Sequence, residues 1–173
     1  MRAALTLLIC LTLTTLAVPA HSADYEVAFS PRGHSLQLVL KTIQSAQKSI
    51  RVAAYSFTSK PVATALVDAK KRGVDVKVVA DAKANSGRYT AVTFVANQGI
   101  PVRLNGNYPI MHHKFILVDG IHLQTGSFNY SAAAANKNAK NVFVLRDMPV
   151  MVEKYQAEWD QLWSEGIDVK ALY

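Results

Sequence analysis

Short apolar, β-rich runs alternate with amphipathic stretches along most of the chain, and that alternation leaves few folds open. Tyr25 to Phe29, Ile50 to Phe57, Val74 to Ala80, Ile100 to Leu104, Lys114 to Val118, Ile121 to Thr125 and Asn141 to Leu145 read as strands. Between them, Leu36 to Ala46 carries apolar residues at helical spacing. A second helix opens at Ser59 and Pro61 and closes on Lys70-Lys71-Arg72-Gly73, with cations in its last turn and a glycine at its end. Tyr89 to Asn97, Tyr130 to Asn136 and Val150 to Trp163 complete the helices. Several strands are apolar on both faces, so both must be covered. The expected fold is therefore α/β: one mixed β-sheet flanked by helices on both faces, in a single domain without repeat or linker.

The first residues set the expected compartment. Met1-Arg2 is followed by an apolar run from Leu5 to Val18, then Pro19 and the small residues of Ala20-His21-Ser22. This three-part pattern predicts an export signal over residues 1–22, cleaved to leave a domain over 23–173; the run is short for a membrane span. Cys10 lies inside the signal, so the exported chain, periplasmic or secreted, has no cysteine and no disulfide. No stable membrane insertion is expected after cleavage. Losing Arg2 leaves 18 Lys and Arg against 12 Asp and Glu, a net charge near +6. Such an excess favours polyanionic partners.

No glycine-rich phosphate loop, His-Glu-x-x-His or paired-cysteine pattern is present, and no acidic cluster is available to hold magnesium. Chemistry instead concentrates in Met111 to Asp119. On a strand, His112 and Lys114 share one face while His113, Phe115 and Leu117 share the other. By the same parity, a following strand presents Thr125, Ser127 and Asn129 together. If the two strands pair, an imidazole, an ammonium, a hydroxyl and a carboxamide converge. Such a set suits phosphoryl transfer without metal or other cofactor: the donors hold phosphate oxygens, and the histidine attacks phosphorus or shuttles a proton.

His112-x-Lys114-x4-Asp119-x6-Gly126-Ser127-x-Asn129 resembles the signature of the phospholipase D superfamily, and the rest of the chain resembles its Nuc-like bacterial endonuclease branch. Ala54-Tyr55-Ser56-Phe57-Thr58 and Ala69 to Lys77 read the same way. The resemblance implies catalytic roles for His112, Lys114, Asn129 and Ser127, with Asp119 completing the motif as a structural member. Because the chain carries one signature where an active site of the family holds two, the resemblance also implies a homodimer with two copies of His112 in one site. One would form a phosphohistidine while the other protonates the leaving oxygen. The implied substrate is nucleic acid, DNA first and RNA as a second candidate. The alternatives are a lipid phosphodiesterase and an inactive nucleic-acid binder.

At one position the chain departs from that branch. Lys140 stands where the branch has a glutamate that orients the histidine. Either the lysine turns to solvent, or it points inward, lowers the histidine's pKa and weakens activity. Lys83, Arg88 and Arg103, in loops or at element ends, are candidate substrate-binding cations. His113, His122 and His34 read as packing or surface residues, and Trp159 and Trp163 as core or dimer seam.

Overall fold

The computed structural model describes residues 24–87 and 90–171, so the expected signal and Arg88 lie outside the described residues. In chain order the elements are β1 (Asp24–Ser30), α1 (Ser35–Gln44), β2 (Ser49–Ala54), α2 (Lys60–Lys71), β3 (Asp75–Asp81), α3 (Ala91–Asn97), β4 (Val102–Asn105), β5 (Lys114–Val118), β6 (His122–Gly126), α4 (Ala132–Asn136), β7 (Lys140–Arg146), α5 (Pro149–Glu165) and β8 (Ile167–Asp168). The eight strands form one sheet in the order β1-β7-β6-β5-β2-β3-β4-β8. β2, β3 and β4 run parallel and the other pairings are antiparallel. The mixed sheet expected from the sequence is the one observed.

Strand periodicity sorts the side chains into two cores. Ile50, Val52, Val76, Val78, Ile116, Val118, Val142 and Val144 face α1, α2 and α3. Ala53, Val79, Phe115, Leu117 and Leu123 face α5, which contributes Val152, Trp159 and Leu162. The Trp159 indole N–H donates to the Val52 carbonyl at 3.0 Å, so this tryptophan is a core residue.

Local chemistry fixes the element ends. Ser59 caps α2 by accepting from the Val62 N–H, and Gly73 adopts φ 94° just past its end, as a helix terminus asks of glycine. Thr90 caps α3, which starts at Ala91, while Tyr89, where the helix was expected to open, lies outside the described residues. β8 has no counterpart in the sequence reading. It is two residues long, held by the Arg103–Asp168 ion pair at 2.7 Å and by the Val169 N–H on the Val102 carbonyl. Among the described residues no helix is long and apolar enough to cross a membrane.

Candidate active site

The C-terminal ends of β2 and β3 and the N-terminal end of β5 lie at one rim of the sheet, where Ala54 pairs with Lys114. Past β2 the Tyr55 ring meets the His112 ring edge-on, centroids 4.6 Å apart. The Lys114 ammonium lies 5.0 Å from the centre of the same ring and donates to the His112 carbonyl. His113 turns the other way, packs on Phe115 and pairs with Glu158 of α5 at 3.1 Å. Strand parity thus places His112 and Lys114 on one face and His113 on the other. A cleft of about 430 Å³ opens beside them, bordered by Thr125, Lys154 and Tyr155.

Three residues that sequence reasoning did not single out as site residues build this rim. Buried Asp81, at the end of β3, accepts from the Met111 N–H at 2.8 Å and so pins the chain just before His112. Buried Asn85 accepts from the Phe57 N–H and donates to the Tyr55 carbonyl at 2.6 Å, fixing the turn that carries Tyr55. A polar residue ending an apolar strand, as Asp81 does, was the available signal. Tyr55 stood inside a stretch already noted for its resemblance.

The opposite flank comes from β6 and the segment after it. Gly126 adopts φ 141°, and a Cβ there would lie 2.3 Å from the Asn141 carbonyl oxygen, so only glycine fits. Parity therefore ends at Gly126. Thr125 pairs with Phe115 and faces α5, which corrects the expectation that it joins Ser127 and Asn129 on the Lys114 face. Beyond the strand, Phe128 and Tyr130 are fully buried and hold Asn129 between them. Tyr130 donates to Gln124 through its hydroxyl and accepts the Thr58 and Ser59 N–H groups at its carbonyl. The Asn129 side-chain oxygen is buried and has no hydrogen-bond partner among the described residues. The Ser127 hydroxyl accepts from the Asn141 N–H at 3.0 Å, which leaves its own proton free to donate.

Electrostatics set this rim apart. Burial first, then Lys114, Lys140 and His113, hold the His112 imidazole below its ordinary 6.5, with Asp81 opposing. Burial, with Lys140 adding to it, pushes the Lys114 ammonium down to about 8. Lys140 is half-buried, and its charge lowers both groups. Among the described residues no cluster of three His, Cys, Asp or Glu is suited to a metal.

Asp119 and Arg103 do not join the set. Asp119 sits at the other end of β5, where its carboxylate accepts the N–H groups of Gln47, Lys48 and Ser49 at 2.7–3.2 Å. It thus ties the α1–β2 connection to β5 and lies away from His112 and Lys114. The Arg103 guanidinium pairs with Asp168, donates to the Trp163 carbonyl and lies 4.7 Å from the Trp163 ring centre, engaged on the α5 face. Lys83 is exposed in the loop after β3 and donates to the Pro109 carbonyl. His122, expected to be exposed, is half-buried and accepts from the Asp147 N–H.

A family profile described as "Cardiolipin synthase, PLD-like domain" matches residues 39–163. The chain is similar to Nuc from Salmonella typhimurium, a phospholipase D family member. The two share 45% identity and a TM-score of 0.85, over 87% of this chain and 100% of that one. NucT from Helicobacter pylori has the same fold at a TM-score of 0.75 and 23% identity, covering 86% of this chain and 100% of that one. The chain is also 32% identical over 127 residues to the mitochondrial cardiolipin hydrolase of Xenopus laevis, covering 73% of this chain and 60% of the relative. It is 30% identical over 136 residues to phospholipase D of Rickettsia typhi, covering 79% and 66%. The chain thus spans about three fifths to two thirds of the length of these two relatives.

Proposed function

Because this chain belongs to the phospholipase D superfamily of phosphodiesterases, on its Nuc-like branch, we propose that it is an exported, metal-independent phosphodiesterase that cuts nucleic acid. The observation that carries this reading is the meeting of His112 and Lys114 at Tyr55, with Asn129 and a free-proton Ser127 across the rim. Two copies of the chain share each site. His112 of one copy, neutral, attacks phosphorus and forms a P–N bond as the P–O bond to the leaving group breaks. His112 of the second copy gives its proton to that leaving oxygen. Water then attacks the phosphohistidine, returning a proton to the second imidazole and releasing a phosphomonoester. Lys114, Ser127 and Asn129 hold the non-bridging oxygens as charge builds on them. The full-length net charge of +7 supports a polyanionic substrate.

A second reading, hydrolysis of a phospholipid diester, is favoured by one feature of the rim. Ile110 and Tyr108, just before His112, are 54% and 36% exposed and give the site an apolar lip.

The test is nicking of supercoiled plasmid by the mature protein in excess EDTA, beside His112→Ala. Cleavage by the wild type alone supports the reading. If neither protein nicks DNA while the wild type hydrolyses cardiolipin vesicles, the lipid reading replaces it.

A further inference from the structure

We propose that Lys140 is a second phosphate-binding ammonium of this site, so that the phosphate is held between Lys114 and Lys140. The inference rests on the phosphodiesterase reading and extends it to a residue whose charge opposes the one expected at its position.

Strand register places the residue. Phe115 pairs with Thr125 and Gly126 with Val142, so one further step along the ladder sets Lys114 level with Gly126 and Val142. Two residues back along both outer strands, His112 comes level with Lys140. The two positions lie two strand spacings apart, roughly 10 Å. Val142 and Val144 point into the core beneath α1 and α2, and parity puts Lys140 on that face with Lys114. β6 ends between them, and Ser127 to Asn129 occupies the gap. Two lysine side chains reaching inward from such a span leave room for one tetrahedral anion, with the Ser127 proton and the Asn129 carboxamide beside it.

The charge balance points the same way. None of the ion pairs among the described residues involves Lys140. Lys41 and Arg146, by contrast, both hold Glu26. Two ammonium groups whose charges act on one another oppose each other, as the lowered Lys114 shows, and an anion held between them relieves that repulsion. A second cation also favours the more highly charged anion. The site should therefore hold inorganic phosphate and phosphomonoester ends more tightly than the diester it cleaves.

Inorganic phosphate binding, measured by titration calorimetry at pH 7 on the mature protein, tests this without requiring turnover. Lys140→Ala should weaken binding about tenfold with an unchanged melting temperature, and Lys140→Arg should restore most of it. The His112 imidazole, followed by NMR, should titrate at higher pH in Lys140→Ala. If Lys140→Ala binds phosphate as the wild type does, the inference is overturned and the phosphodiesterase reading stands. If binding and melting temperature fall together and arginine rescues neither, Lys140 is structural and the inference is likewise overturned. If the wild type itself shows no phosphate binding, the inference is overturned, and plasmid nicking in excess EDTA decides the phosphodiesterase reading separately.

Discussion

The two ends of β5 belong to one sequence motif and are opposite in physical character. At the Asp119 end the carboxylate is fully answered. Burial alone would push that carboxyl up, yet the Ser49, Gln47 and Lys48 N–H groups outweigh it and hold the acid below its ordinary 3.8. At the His112 end the two ammonium groups have no ion-pair partner among the described residues. Lys114 reaches only a carbonyl and a ring, Lys140 has no ion-pair partner among the described residues, and the Asn129 oxygen is orphaned. A satisfied network ties the α1–β2 connection to the sheet, while the proposed anion would complete the other.

If that division holds, His112→Ala separates the two ends most sharply. Plasmid nicking should fall by roughly 10³–10⁴-fold, with no loss of melting temperature, because His112 is exposed. A large drop in melting temperature would show that the catalytic end also carries stability and would erase the contrast. Lys114→Met should cost roughly 10²-fold in turnover. Its aliphatic replacement suits a buried position, so the fold should be stable in this variant too.

The reverse experiment is made at the other end. Asp119→Ala strands three backbone donors and should destabilise the fold by about 1–3 kcal/mol. At about 2–4 °C per kcal/mol for a chain of this size, the loss is readable by calorimetry. Activity per folded molecule should stay within a factor of about three. Because the folded carboxyl titrates below 3.8, its contribution is complete at neutral pH and is lost as pH falls through that lowered value. The stability gap between wild type and variant should therefore close in strong acid.

How far these ends could be read from sequence follows the reach of the strand ladder. Lys114 to Val118 is bounded by the sequence pattern as in the structure, because an uninterrupted apolar run with side chains on both faces admits little else. Parity carried back from it orients His112, since the Tyr55 N–H bond to the His113 carbonyl continues the pairing past the strand. Carried forward through β6, the same parity misplaces Thr125, because register with Phe115 and not distance from Asn129 decides its face. Arg103 shows a different limit: its partners, Asp168 and Trp163, come from a two-residue strand and the end of a helix some sixty positions away. Composition and spacing do not encode contacts of that range.

Subunit mixing tests whether the catalytic end is complete within one chain. If each site needs two copies of His112, diluting wild type with an equal amount of His112→Ala under exchange leaves about a quarter of the sites with both histidines. Activity per total protein should fall to about a quarter. A fall to only about a half would mean that each chain works alone, and the unanswered charges would then belong to a self-sufficient site.

The smallest expected effect is on the pH profile, and it bears directly on the unanswered charges. Two imidazoles that must share one proton titrate in two steps that belong to the pair. Burial, Lys114 and Lys140 all disfavour imidazolium, so both steps move down and the optimum should fall on the acid side of 6.5. Lys114 must stay charged to hold phosphate, and at about 8 it is still protonated throughout that window. Replacing Lys140 by alanine removes one like charge from each group. The profile should then shift toward neutrality by less than about one unit, in the direction opposite to the loss of phosphate affinity. An optimum already at or above neutral pH in the wild type would mean that a charge outside this rim, such as one carried by the second copy, answers Lys140 in the assembled site.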